Sequence, residues 1–367
     1  MQRIAFGVLG IGLCAGIAQA QQDVIEIYGF EFALIGDPGN RDTTDVEVPL
    51  FPGTRIGGVE YEYRLAITEV TVAQHLEFVE AYYPFNVVNT GSEVGLNDFT
   101  GRAIRAAFGQ IHILPDYEPQ DPTDMSWEYA ARYVNWLHNG KVVESWAFES
   151  GVYDTSTFVQ DDNGNSQHQI ARAPGSRFFL PTLDEWTKAA HWDPSKNGGA
   201  GGYWRYPNGS DIEPRIGLPA DGGERNAGER PLFPLGVVSY PHVRSPWGMY
   251  DMAGGQSELT ESARRVEQAH LRRLCGSDFH DEYGDLYSQD QIGFATEVPA
   301  FSVQGLRLGT ISEVHPADLN QDGVLNFFDV SQFLRWYLGG DLRADFRRDE
   351  RLDLDDVRVF LGFVAAQ

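Results

Sequence analysis

The spacing of apolar residues changes several times along the chain, and each change marks an element. Tyr63-Arg-Leu-Ala-Ile-Thr-Glu-Val-Thr-Val-Ala-Gln-His-Leu-Glu-Phe78 passes from a strand-forming run into helical spacing, with Thr71 placed as an N-cap. Met125–Leu137 reads as an amphipathic helix opened by Ser126. Phe179–Ala190 reads as another, capped by Thr182, with Glu185 three residues on to complete a capping box. Further along, Val330, Phe333, Leu334 and Tyr337 recur at i, i+3, i+4 and i+7, and Val357, Phe360, Leu361 and Val364 repeat that stripe. Two stripes of equal pitch predict two helices packed on each other. The joints Lys196–Gly202 and Gly209–Gly223 are rich in Gly and Pro, so long stretches between elements are expected to be loops.

The first twenty residues follow a different logic. Arg3 supplies a positive start, Ile4–Ile17 is an apolar run, and Ala18-Gln19-Ala20 has the small-x-small form of a signal peptidase site. The run is too short to anchor in a bilayer. Leu13 before Cys14 is too bulky for a lipoprotein signal, so export without a lipid anchor is expected. The predicted organisation is a signal peptide over 1–20, a main domain over 21–310 and a small tail domain over 311–367, in a secreted, extracellular or periplasmic protein.

Charge narrows the class of partner. A net charge of −25 argues against nucleic acid and against anionic lipid, and suits a protein that meets divalent cations. No membrane span is expected. Only Cys275 remains after residue 20, so no internal disulfide can form. Eight Trp, 16 Tyr and 22 Phe supply material for a large core instead.

The tail carries the sharpest motif. In Asp318-Leu-Asn-Gln-Asp-Gly-Val-Leu-Asn-Phe-Phe-Asp329, oxygen donors fall at loop positions 1, 3, 5, 7, 9 and 12, with Gly323 at the sharp turn. The predicted calcium ligands are Asp318, Asn320, Asp322, the Val324 carbonyl, Asn326 and Asp329. A second copy starts at Asp345 and keeps Asp349, Asp353 and Asp356, but Arg347 replaces a ligand and Glu350 replaces the turn glycine. A cation among the ligands opposes a second cation, so the second copy is expected to persist for its helix rather than for metal. Pro316 disfavours a helix running into the first loop. The unit is therefore loop–helix, twice, an all-α calcium module that resembles a dockerin over about residues 316–367. That resemblance implies docking onto a cohesin-like or other extracellular scaffold. Family recognition positions are often small hydroxyl residues; Phe327 and Phe328 stand there instead, suggesting an apolar contact or packing on the protein's own body.

Separated blocks in the main domain also agree with one family. The three capped segments are followed by Ser245-Pro-Trp-Gly-Met-Tyr-Asp-Met252, Leu274-Cys-Gly-Ser277 and Gly305-Leu-Arg-Leu308. In that order they resemble the formylglycine-generating enzymes, or sulfatase-modifying factors, over about residues 25–310. The resemblance implies a mixed α/β (α+β), C-type-lectin-like fold with little regular secondary structure. Trp127, Trp136, Trp186 and Trp247 are expected to anchor the core, and Glu69 with Arg307 to form a buried pair. The family's structural calcium, carried onto Asp251-Met-Ala-Gly-Gly-Gln-Ser-Glu258, would use the Asp251 and Glu258 side chains with the Gly254 and Gln256 carbonyls. A second family calcium site would use Asn226, without an evident acidic partner.

The resemblance also implies chemistry, and there the sequence departs from it. These enzymes oxidise a sulfatase cysteine to formylglycine with two cysteines and copper, and a soft thiolate pair is what copper(I) selects. The thiols should follow the Cys275-Gly276-Ser277 element, but the residues three and eight further on are His280 and Asp285. Cys275 occupies a glycine position of the family and reads as a buried, inert thiol. The alternative is a hard-metal site built from Asp278, His280 and Glu282 in an acidic loop. A related iron-oxygenase branch draws its histidines from an added helical domain that this chain lacks. The leading expectation is therefore a non-catalytic ligand-binding body, for glycan or protein at the former active-site groove, docked through a calcium tail. The alternative is a divergent metal-dependent oxidoreductase, and a structural envelope protein ranks third. A link to polysaccharide breakdown is associational only.

Overall fold

A computed structural model describes residues 23–86, 99–107, 109–159, 168–227, 235–279, 290–311, 317–319, 325–347 and 351–365. The predicted signal peptide lies outside them. Among the described residues there are seven α-helices: α1 Val72–Tyr82, α2 Trp127–His138, α3 Ser145–Glu149, α4 Leu183–His191, α5 Lys196–Gly199, α6 Phe327–Leu338 and α7 Leu354–Ala365. No helix of the described residues is long and apolar enough to cross a membrane.

The three helix starts follow from local chemistry. Thr71 Oγ1 accepts the Gln74 N–H while Gln74 returns a carboxamide oxygen to the Thr71 N–H, a capping box at α1. Ser126 accepts the Tyr129 N–H at the start of α2. Thr182 accepts from Glu185, and Glu185 accepts from Thr182, at α4. Each interaction spans three residues, so each was legible in the sequence.

Two five-stranded sheets frame the body. One runs in the order Val24–Ile27, Phe30–Ile35, Tyr63–Ala66, Gly309–Thr310, Phe178–Phe179. The other runs Thr296–Pro299, Leu271–Cys275, Glu258–Ala263, Val303–Leu306, Met125–Ser126. Val303–Leu306 pairs parallel to Glu258–Ala263; the remaining pairings are antiparallel. Strands from 303 to 310 therefore serve both sheets, which carries Arg307 to the junction between them.

The main core gathers α1, α2 and both sheets around Phe78, whose ring lies 5.6 Å from Tyr82, 5.2 Å from Tyr133 and 6.0 Å from Trp136. Trp127, Trp136 and Trp186 are buried as expected, whereas Trp247 is only half-buried, between two smaller clusters. His75 shows what that core does to a titratable group. Its Nε2–H donates to the Phe99 carbonyl at 3.0 Å, which leaves Nδ1 to accept from the Thr123 hydroxyl at 2.7 Å. Burial lowers its pKa to about 4, so the ring is a neutral structural link.

The tail has a core of its own. Ala317, Phe333, Ala344 and Phe360 are buried together, with Val330, Tyr337, Val357 and Val364 packed on them. Phe333 and Phe360 stack with centroids 4.2 Å apart and planes at 3°, so the two predicted stripes do meet. The stripes are narrower than expected: Leu334 and Leu361 stay 44% and 48% exposed, because Phe333 and Phe360 set the line of contact. Phe327 and Phe328 are 77% and 67% exposed, so they do not pack on the protein's own body.

Candidate functional site

The loop from Asp251 to Glu258 enters the second sheet and brings two carboxylates, joined by Glu69, within the field of one guanidinium. Arg307 is fully buried. Its Nε contacts both Glu258 oxygens at 3.1 Å, Nη2 donates to Glu258 Oε1 at 2.7 Å and to the Tyr250 carbonyl at 2.8 Å, and Nη1 donates to the Ala66 carbonyl at 3.0 Å. Its direct ionic partner is thus Glu258. The expected Glu69–Arg307 pair is corrected: Glu69 lies within the electrostatic reach of Arg307, but its carboxylate accepts the Gln256 N–H at 2.8 Å instead. Glu258 lies one strand away on the same sheet, a proximity that sequence spacing does not reveal.

Two glycines make this loop possible. Gly254 and Gly255 both have left-handed φ, +84° and +70°, and added Cβ atoms would fall 2.5 Å from Asn226 Oδ1 and 2.4 Å from Glu69 Oε2. The turn points three successive amides at three side chains. Gly254 N–H donates to Ser277 Oγ, Gly255 N–H to Asn226 Oδ1 and Gln256 N–H to Glu69 Oε1, at 2.8–2.9 Å. Asn226 therefore acts as an acceptor for the loop.

Charge in this pocket is unbalanced. Glu69, Asp251 and Glu258 face one arginine. Burial, then Glu258 and Asp251, push the Glu69 carboxyl well up, and burial raises Asp251. The expected calcium ligands Asp251 and Glu258 are both present here, but their oxygens are not equally open. Asp251 Oδ2 accepts the Val238 N–H at 2.7 Å. Glu258 is filled by Arg307 and by the Trp186 indole N–H at 2.7 Å. Among the described residues two buried acceptors, Glu69 Oε2 and Gln256 Oε1, lack a donor, the condition a bound cation would satisfy. Among the described residues no three His, Cys, Asp or Glu side chains are grouped to hold a metal ion.

Cys275 does not fit copper. It ends the Leu271–Cys275 strand inside the cluster of Trp186, Met249 and Met252. Burial, then Glu258, push its thiol well above the ordinary range, so the neutral form is held. The alternative hard-metal set falls mostly outside the described residues: His280 and Glu282 are there, as is Asp285, while Asp278 is buried beside Phe279, whose N–H donates to the Gly255 carbonyl at 3.1 Å.

A second buried ionic network went unread in the sequence. Arg172 donates to Glu185 at 2.6 and 3.1 Å and to Glu261 at 3.2 Å, and its guanidinium lies 3.8 Å from the Phe179 ring centroid. Burial raises Glu261 to about 7, against the pull of Arg172. Glu185 gave a local signal as a capping residue, which concealed its longer-range role.

Asp318 and Asp329 are buried in the tail, and Asn326 is described beside them; Asn320, Asp322 and Val324 lie outside the described residues. Asp329 accepts the Leu319 N–H at 2.8 Å through Oδ1 and the Asn326 N–H at 2.9 Å through Oδ2. In the second copy Asp356 accepts from Arg347 at 3.1 Å and Asp353 at 2.9 Å. The same clamp thus closes both loops, although the Arg347 guanidinium turns out to Asp355 at 3.1 Å.

Comparison with solved structures finds the structure of CarF at 16% identity and TM-score 0.45, covering 78% of this chain and 100% of that one. It also finds PvdO from Pseudomonas aeruginosa at 15% identity and TM-score 0.43, covering 77% of this chain and 94% of that one. No curated protein matches the chain. A family model for the sulfatase-modifying factor enzyme 1-like domain matches residues 33–309, and the chain belongs to that family.

Proposed function

We propose that this chain is a secreted member of the family that binds a ligand with its body instead of oxidising a thiol, and docks through a dockerin-like calcium tail. One observation carries the reading. The only thiol beyond residue 20, Cys275, is buried and held neutral, so no thiolate pair is available to copper(I).

For the tail, the reading is supported by the Asp329 clamp. The clamp holds the position-12 carboxylate against both ends of the loop, at Leu319 and Asn326, where it would join Asp318, Asn320, Asp322, the Val324 carbonyl and Asn326 around calcium. The exposed Phe327–Phe328 pair, at the first turn of α6, supplies an apolar face for a cohesin-like scaffold. For the body, a structural calcium on the Asp251 and Glu258 side chains with the Gly254 and Gln256 carbonyls is supported by the Glu69 oxygen that lacks a donor among the described residues, although Glu258 is shared with Arg307 and Trp186.

The test has two parts. A sulfatase-derived cysteine peptide incubated with the purified chain and copper should yield no aldehyde, and aldehyde formation overturns the reading. Chelation should reduce the helical circular dichroism of the tail, and Asp318→Ala with Asp322→Ala should abolish that response; an unresponsive wild type removes the calcium role. Stoichiometric iron or manganese lost in His280→Ala would favour the metal-dependent oxidoreductase.

A further inference from the structure

Three arginines, Arg55, Arg264 and Arg273, line one open depression of about 560 Å³. It lies where the loop before residue 56 meets the first turn of α4 and the end of the Glu258–Ala263 strand. The lining sets three cations against one carboxylate, in a chain whose net charge is −25.

Among the described residues, their donors are mostly unspent. Arg55 gives Nη1 to Asp45 at 2.8 Å and to the Thr54 carbonyl at 2.7 Å. Arg273 gives Nη1 to Glu297 at 2.9 Å. Arg264 stands 3.7 Å from that same Glu297 oxygen, beyond hydrogen-bond reach. A guanidinium carries five N–H donors in a planar fork that matches an oxyanion. The negative side chain lining the hollow is Asp184, whose Oδ1 is occupied by the Gly57 N–H at 2.9 Å. Ser262 Oγ accepts the N–H of Leu183, the first residue of α4, at 2.9 Å, so its own proton remains to donate. The positive end of the nine-residue α4 adds to the same field.

We propose that this depression binds an oxyanion, a sulfate ester, phosphate ester or carboxylate, carried on a saccharide. The hollow is much larger than one tetrahedral anion, and Ile56, Leu183 and Ala263 line it with apolar surface that suits the C–H face of a sugar ring. The proposal deepens the ligand-binding reading of the body and rests on it.

Calorimetric titration of the full chain with glucose 6-sulfate, glucose 6-phosphate, glucuronate and glucose tests it. At least one charged sugar should bind while glucose does not, and the preferred anion identifies the group. Arg264 and Arg55 side chains are 62% and 49% exposed, so their alanine variants should keep the wild-type melting temperature. Arg264→Ala should weaken binding about tenfold, and adding Arg55→Ala should weaken it further. Added salt should weaken it as well. Equal binding of glucose, no binding of any charged sugar, or wild-type affinity in the double variant overturns the site. Those failures are separable from failure of the non-oxidising reading, because aldehyde formation on the cysteine peptide is scored without any sugar present.

Discussion

In the body, Arg307 is gripped by Glu258, by the carbonyl of Ala66 and by the carbonyl of Tyr250, each far from it in sequence. In the tail, two helices meet through Phe333 and Phe360, one repeat apart, with an aspartate clamp on each loop. The body is held at its sheet junction by a buried ion that must be matched, and the tail by apolar faces that need only align. Losing either the buried charge or a core ring costs several kcal/mol, but each loss falls on its own core, so the two regions should fail separately.

Arg307→Met gives the largest expected effect. It leaves Glu69, Asp251 and Glu258 buried together without the guanidinium, and breaking one buried pair alone costs roughly 3–5 kcal/mol. The body should lose its cooperative near-ultraviolet transition while the tail keeps its helical signal. A variant that melts like wild type would mean that the junction is not held by this charge.

Phe333→Ala inverts the pattern. Removing a buried phenyl ring from a small core costs roughly 3–5 kcal/mol, most of what a domain of this size holds. The tail should unfold and become protease-sensitive, with the melting of the body unchanged. Simultaneous loss of both would show that the two cores are energetically coupled.

These two sites also mark how far the sequence could be read. The Phe333 and Phe360 stripes, and the caps Thr71, Ser126 and Thr182, depend on neighbours within a turn or on a fixed period, so spacing alone located them. The Arg307 partner depends on which strands adjoin, and that is set by the whole fold; Glu69 is as acidic as Glu258 and no nearer in sequence to the answer. The Arg172 network and the arginine-lined hollow were missed for the same reason. Arg264 and Arg273 meet because the Glu258–Ala263 and Leu271–Cys275 strands pair, and Arg55 joins them only where the Gly57 N–H docks on Asp184 of α4. Leu334 and Leu361 fail in the opposite direction: the period was right, and only packing decided how wide the buried stripe became.

Glu261 offers a milder way to probe the body's ionic framework. Its folded pKa is raised from 4.5 to about 7, chiefly by burial. A carboxyl raised in the folded state stabilises through its protonated form, so that contribution is complete below about 4.5 and fades as pH rises through about 7. It amounts to something on the order of 3 kcal/mol, from the size of the shift. Glu261→Gln should remove this slope, so wild type should lose stability relative to the variant as pH rises from about 4.5 to about 7. Parallel melting curves across that range would show that Arg172 keeps Glu261 ionised throughout. The tail, whose buried pair is aromatic, should show no such slope from its core.

The smallest effect concerns helix caps, and it separates the regions by ligand rather than by energy. Thr182→Ala removes the acceptor for the Glu185 N–H and should cost about 1 kcal/mol, with Thr182→Ser restoring most of it. Glu185 stays anchored by Arg172 and Tyr61, so half of the capping box survives and the loss should not depend on calcium. Asn326→Ala removes the equivalent cap in the tail, where Oδ1 accepts the Phe328 N–H at 2.7 Å. The cap alone is worth about as much as Thr182, but Asn326 is also a proposed calcium ligand, so its deficit should widen when calcium is added. Thermal melts of both variants with calcium and with chelator decide the matter. A deficit at Asn326 that stays constant would leave the side chain as a cap and take it out of the metal site.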